Sequence, residues 1–343
     1  MPAEWEHHDA TWIAWPHHEP DWPGKLEAVQ WVYAEIVRVL AEHERVEILC
    51  HDHELRERAA HCLRAHHVRM QHVNLPVVPT DRVWLRDSGP SCVWNDAGDV
   101  ELMAWTFTAW AKYENYQRDQ EVPSAMQALT SLPIVRAARR NDPAHPLVLE
   151  GGGIDVNGAG RIMVTEEWLL SDTQIRNPGM TREEYERAFE TYLGCPSTIW
   201  LGDGCAGDDT HGHIDDVARF VNFDTVVLAY EPDPADANHL SSVDNERRLR
   251  VAAAVQPLNI VRLPYPRPVI MDGQRLPASY ANFYIANGVV LVPTFNDVND
   301  RVALNILAEL FPDRTVVGIH SVDLVWGLGT LHCLTQQQPA MRR

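Results

Sequence analysis

Basic residues are scarce in this chain: 29 Lys and Arg stand against 48 Asp and Glu, a formal net charge of -19 over 343 residues. Such a surface repels phosphate backbones and anionic membranes over most of its extent, so neither nucleic acid nor a membrane is expected as a partner. The same field would gather small cations, although acidity more often serves only solubility. The six cysteines, at positions 50, 62, 92, 195, 205 and 333, form no Cys-x-x-Cys pair and no dense regular spacing, so reduced thiols in a cytoplasm are expected rather than a disulfide scaffold. No apolar run is long enough to span a bilayer, and the opening Met1-Pro-Ala-Glu-Trp-Glu has no basic stretch leading into an apolar one. The expectation is a protein neither exported nor embedded. Ser/Gly linkers, charge blocks and low-complexity stretches are also missing, which favours one continuous domain over residues 1–343. P-loop, His-Glu-x-x-His and Gly-x-Ser-x-Gly motifs do not occur. Gly202-Asp-Gly-Cys-Ala-Gly207 matches a dinucleotide fingerprint only formally, because Asp-Asp-Thr-His-Gly-His follows where an apolar helix is needed.

What is present is an α/β alternation. Short β-rich runs are predicted as strands at Val46–Cys50, Val68–Val73, Val100–Trp105, Arg161–Thr165, Thr225–Ala229, Val289–Pro293 and Thr315–Ile319. Helical periodicity marks Leu26–Glu42, Leu55–Ala65, Thr181–Leu193, Asn245–Val255 and Arg301–Phe311, several of them preceded by capping residues. The regular interval between helices suggests repeated supersecondary units, with no repeat motif visible to give their number.

Four segments carry chemistry. Gly327-Leu-Gly-Thr-Leu-His-Cys333 sets a thiol beside His332 after two glycines that admit close backbone approach, a setting for a nucleophile; a free cysteine is also often just a small buried apolar residue. If extended, His332 and Cys333 point to opposite sides. Asp208-Asp-Thr-His-Gly-His-Ile-Asp-Asp216 crowds four carboxylates and two histidines together. An extended His213–Asp215 would place one proton-moving group and one cation-binding group on a single face, while His211, His213 and Asp215 equally suit zinc or iron. Trp84 and Asp87, in Asp81-Arg-Val-Trp-Leu-Arg-Asp87, fit a planar cation through cation–π and carboxylate contacts, but the segment alone fits an Arg86/Asp87 ion pair beside a core tryptophan better. Glu150, at the end of a strand-like run and followed by Gly-Gly-Gly, either orients a histidine or caps a turn.

Taken together the segments resemble the agmatine deiminases, a branch of the guanidino-group modifying superfamily that includes the bacterial-type peptidylarginine deiminases. The resemblance runs from Met1-Pro-Ala-Glu-Trp-Glu and Trp12-Ile-Ala-Trp-Pro16 through Trp84-Leu-Arg-Asp-Ser-Gly-Pro90, Lys112-Tyr-Glu-Asn115, Glu150-Gly-Gly and His211-Gly-His-Ile-Asp215 to His332-Cys-Leu-Thr-Gln-Gln-Gln-Pro339. It implies a pentein fold, a five-bladed pseudo-symmetric α/β propeller of ββαβ units, forming a homo-oligomer. It further implies Cys333 as nucleophile, His213 in proton transfer, Glu150 supporting that histidine, and Asp87 and Asp215 holding the guanidinium nitrogens. Agmatine would become N-carbamoylputrescine and ammonia, a step toward putrescine, through a thiouronium on Cys333, with no metal and no cofactor. The bound cation and His213 would then have to favour the thiolate. Two stretches differ from those common in that family, Gly327-Leu-Gly-Thr-Leu-His-Cys333 and His17-His-Glu-Pro-Asp-Trp22; they leave the five positions intact and bear on the far end of the substrate. Trp84, Trp110, Tyr113 and the N-terminal tryptophans are the candidates for enclosing it. The competing readings are free or peptide arginine as substrate, amidino transfer to an amine, a metal-dependent hydrolase using His211, His213 and Asp215, and a non-catalytic guanidinium binder.

Overall fold

The computed structural model describes residues 1–139, 142 and 144–342. It is a mixed α/β structure in which five sheets repeat one plan: two antiparallel strands, a helix, then a strand parallel to the second. The helix is needed because parallel neighbours cannot be joined by a tight turn. In the first unit Gln336–Pro339 pairs antiparallel with His8–Ala14, the helix Leu26–Leu40 crosses over, and Arg45–Leu49 and Val73–Asn74 follow in parallel. The second unit is Ser91–Trp94, Val100–Ala104, helix Val122–Thr130 and Ile134–Arg136; the third is Asp155–Val156, Arg161–Thr165, helix Arg182–Leu193 and Ser197–Leu201. Ala218–Asn222, Thr225–Tyr230, helix His239–Val255 and Asn259–Pro264 form the fourth, and Tyr284–Ala286, Val289–Thr294, helix Asn299–Leu310 and Thr315–His320 the fifth.

Central strands such as Val226–Ala229 and Val289–Val292 are buried along their whole length, as expected where both faces of a sheet are covered. Local signals set the helix ends. Thr181 accepts a hydrogen bond from the Glu184 amide while the Glu184 carboxylate accepts one from the Thr181 amide, and Gly194 closes the helix in the left-handed conformation at φ 66°. Reciprocal caps of this kind are worth about 1 kcal/mol.

The strand expected at Val68–Val73 is shorter than its composition suggests. Met70–His72 make a 3-10 turn, and only Val73–Asn74 pair, because His72 is drawn inward by its ring contact to the Ala41 carbonyl at 2.6 Å. The helices expected from Leu55 and Asn245 begin earlier, at His53 after an Asp52 cap and at His239. Gly202–Gly207 leads into no helix.

The connection into the first strand of each unit carries a polar cluster. Asp87 lies in the turn Leu85–Ser88 before Ser91, Glu150 comes before Gly151–Gly153 and Asp155, and His213 and Asp215 come before Ala218. Asn282 precedes Tyr284, and Cys333 lies in the turn Leu331–Leu334 before Gln336.

Candidate active site

The five connections converge. His213 is not on an extended strand with Asp215 as expected: its own backbone is extended, but Ile214–Asp216 turn as a 3-10 helix, and both side chains still reach the same buried space. Arg86 and Asp87 do not pair. Arg86 turns to Gln337, the His332 carbonyl and Glu4, whereas Asp87 accepts from Trp110 Nε1 and the Gly152 amide, each at 2.9 Å. The partners on either side of the turn Leu85–Ser88 draw the two neighbours apart.

Gly152 lies at the middle of the cluster. A Cβ there would stand 2.7 Å from His213 Nδ1, 2.8 Å from Asp87 Oδ1 and 3.1 Å from Asp215 Oδ2. His213 Nδ1 and Asp215 Oδ1 are buried polar atoms without a hydrogen-bond partner within the protein. Such atoms are costly to leave alone, and a planar cation beside Asp215 Oδ1 would give that oxygen the donor it lacks. His213 Nε2 lies 3.5 Å from Glu150 Oε2, and Glu150 is itself fixed by Trp168 Nε1 at 2.7 Å and Arg176 Nε at 3.1 Å.

Titration follows from these contacts. Burial would depress His213, but the carboxylates of Asp87 and Glu150 outweigh it and raise its pKa to about 9. Burial pushes Asp87 up to about 6, with Asp215 and Glu150 adding and His213 opposing. Glu150 is held at about 2 because Arg176 and His213 overcome its burial. Asp215 is held below its ordinary range against burial, chiefly by His332, while burial and the neighbouring Asp215 push Asp216 well above that range.

Cys333 Sγ lies 3.1 Å from Asn282 Nδ2, and its thiol reaches Asp215 Oδ2 at 3.5 Å. Burial, then Asp215, Asp216 and Asp87, push this thiol well above its ordinary pKa, so it is protonated while the site holds no cation. Cys333 and Asp87 line a cavity of about 280 Å³ whose walls include Trp84, Trp110, Tyr113 and Trp326 and whose polar lining includes Asp21 and Asp209. Ala109, Trp110 and Ala111 are all left-handed, at φ 45°, 59° and 53°, and Leu328 in the cavity wall is at 69°. Each such residue costs about 1–2 kcal/mol, so the turn that brings Trp110 onto Asp87 is held by its surroundings.

His211 does not join the cluster: its Nε2 meets Ser171 Oγ at 3.0 Å and its Nδ1 lies 3.6 Å from Glu167. Among the described residues no group of three His, Cys, Asp or Glu side chains is arranged to hold a metal ion.

Residues 1–339 match the family model of the Porphyromonas-type peptidyl-arginine deiminases. An agmatine deiminase of Pseudomonas aeruginosa (strain LESB58) is 35% identical over 369 residues, covering 100% of this chain and 96% of that protein. The chain belongs to this deiminase family. Its fold agrees with the agmatine deiminase of Enterococcus faecalis at a TM-score of 0.90 and 29% identity, and with a Cys-to-Ser variant of the C. jejuni agmatine deiminase, solved with substrate bound, at 0.88 and 26%. Both alignments cover 100% of this chain and 96% of the other.

In this deiminase-family chain several site residues escaped the sequence reading. Asn282 accepts from Thr330 Oγ1 and the His332 amide while donating to Cys333 Sγ and Asp216, and so fixes the turn that carries Cys333. Trp168 and Arg176, which hold Glu150, were also missed. For Asn282 a signal existed: it occupies the connection before a first strand, as Asp87, Glu150, Asp215 and Cys333 do.

Proposed function

We propose that the protein hydrolyses the guanidinium group of agmatine, giving N-carbamoylputrescine and ammonia. The observation that carries this reading is the convergence on Gly152 of His213 Nδ1, Asp87 Oδ1 and Asp215 Oδ2, with the Cys333 thiol facing that Asp215 oxygen and Asp215 Oδ1 left without a partner. The relatives named agmatine deiminase support it.

Asp87 and Asp215 hold the guanidinium in plane through its nitrogens. The arriving cation offsets the carboxylates that suppress Cys333 ionisation, so thiolate forms on binding, with Asp215 Oδ2 in reach of the thiol proton. Sulfur adds to the central carbon and forms a C–S bond. His213 gives its proton to one nitrogen, the C–N bond breaks and ammonia leaves, and an S-alkylthiouronium remains on Cys333. The now neutral His213 deprotonates a water that adds to the same carbon; the C–S bond breaks, thiolate departs, and the remaining hydroxyl proton passes to solvent as the urea carbonyl forms. Glu150 keeps His213 oriented and charged for the first step. Neither step needs a metal or an organic cofactor.

We take the far end of the substrate to lie toward Asp21 and Asp209 in the cavity lining; these pair with Arg82 and Lys112, so neither cation is left for the carboxylate of arginine, which argues for agmatine. Trp84 forms part of the wall along the aliphatic chain. We further read the five ββαβ units as blades of a pentein propeller in a single domain of 343 residues, working as a cytoplasmic homo-oligomer. No helix among the described residues is long and apolar enough to cross a membrane.

The test is ammonia release from agmatine, arginine and an arginine peptide by wild type and Cys333→Ala, with chelator present throughout. Release from agmatine that is lost in the variant is expected; no release from any guanidine overturns the assignment.

A further inference from the structure

Behind the cluster lies a second set of buried charges that the chemistry above does not use. Glu4, four residues into the chain, is 6% exposed and reaches the back of the nucleophile turn. Its Oε2 lies 2.9 Å from His332 Nε2, 3.0 Å from an Arg219 nitrogen and 3.5 Å from an Arg86 nitrogen, and its Oε1 accepts from the Ile285 amide at 2.8 Å. On its other side His332 meets Asp215 Oδ2 at 2.8 Å through Nδ1. Glu4, His332 and Asp215 therefore form a carboxylate–imidazole–carboxylate row, and the oxygen at its end is the one the Cys333 thiol faces.

The geometry limits the protons. A neutral imidazole carries a single N–H, yet both ring nitrogens of His332 lie at hydrogen-bond distance from carboxylate oxygens. A bare nitrogen facing a bare carboxylate at that distance is repulsive, so the row holds one more proton than a neutral ring supplies. Whichever member carries it, Asp215 Oδ2 is held by His332 and Oδ1 is left without a partner within the protein.

We propose that Glu4 is a positioning residue for the deimination, acting through His332 to fix the rotation and charge of Asp215. The proposal rests on the catalytic reading given above. It makes the N-terminal segment part of the site, because without Glu4 the Nε2 side of His332 loses its carboxylate partner while the Arg86 and Arg219 charges beside it remain. Arg219 keeps its backbone acceptors, the Phe283 and Ala281 carbonyls, and Arg86 keeps Gln337, so the arginines are not stranded when the Glu4 charge is removed.

The experiment is kcat, KM and the pH profile of agmatine turnover for wild type, Glu4→Gln, Glu4→Asp and His332→Gln, with thermal melting alongside. Partners of this kind typically contribute about 10–100-fold to activity. Glu4→Gln is expected to lose kcat/KM in that range with a displaced acid limb, Glu4→Asp to recover part of it, and the Glu4→Gln/His332→Gln pair to be no worse than the poorer single variant. Wild-type kinetics and pH profile in folded Glu4→Gln overturn the proposal, as does simple additivity in the double variant. Should Glu4→Gln not fold, an unchanged profile in His332→Gln overturns it equally. A wild type that releases no ammonia refutes the catalytic reading instead, so the two failures are told apart.

Discussion

Replacing Glu150 by Gln should move one limb of the pH–rate profile by an amount the site geometry sets. In the free protein Asp87 must be ionised to bind a guanidinium and His213 protonated to expel ammonia. Then kcat/KM rises as pH increases through about 6 and falls as pH increases through about 9. These limbs belong to the coupled cluster rather than to isolated groups. His213 is raised by the nearby charges of Asp87 and Glu150 against its own burial, and Glu150 adds a hydrogen bond. Removing the Glu150 charge while keeping its shape should lower the alkaline limb by roughly 1–2 units. With a limb near ~7.5, the imidazolium fraction at pH 8 drops from about nine-tenths to about one-quarter, so activity falls about fourfold more at pH 8 than at pH 6. Arg176 loses its counter-charge in this variant and stability falls by about 3 kcal/mol, tempered by its bonds to the Gln174 and Thr210 carbonyls, so folding is checked by melting. The assay is initial-rate ammonia release at low agmatine from pH 5 to pH 10.5 (on the order of a dozen points). An alkaline limb that stays at its wild-type position in folded Glu150→Gln refutes the assignment of that limb to His213.

Three other outcomes are expected. Gly152→Ala drives a methyl into His213, Asp87 and Asp215, and should cost about 10²-fold in kcat/KM with about 1–3 kcal/mol of stability, read by kinetics and denaturant unfolding. Asp209→Asn removes a carboxylate from the far end of the cavity and should raise KM for agmatine about fivefold, with kcat nearly unchanged and no such rise for arginine. Thr181→Ala removes the side-chain half of the cap on helix Arg182–Leu193, leaving the residue 181 amide on the Glu184 carboxylate, and should lower stability by about 1 kcal/mol without altering turnover.

Much of this site is legible in the order of residues, and the rest is not for identifiable reasons. Cys333, His213, Asp215, Asp87 and Glu150 stand in short, chemically dense segments flanked by glycine, and the structure brings all five together. Local rules misled where a turn replaces an assumed strand. Adjacency in sequence suggested an Arg86/Asp87 ion pair, and partners distant in sequence, Gln337 for Arg86 and Trp110 for Asp87, draw the two apart. Strands such as His8–Ala14 and the terminal Gln336–Pro339 were missed because neither has the β-branched density of Val289–Thr294; their partners lie at opposite ends of the chain, and pairing at that separation leaves no local trace. Glu4 was invisible for the same reason, since its contact to His332 spans 328 positions. Helices with strong local caps, such as Arg182–Leu193, were read closely.

The covalent step is the core of the chemistry, and rapid acid quenching of wild type with agmatine, followed by mass spectrometry of the peptide containing Cys333, tests it most directly. The expected result is a peptide heavier by agmatine less ammonia, absent from Cys333→Ser and diminished on a longer chase with excess unlabelled buffer. Ammonia release with no adduct on Cys333 at any quench time, or undiminished turnover in Cys333→Ser, would contradict a thiol nucleophile.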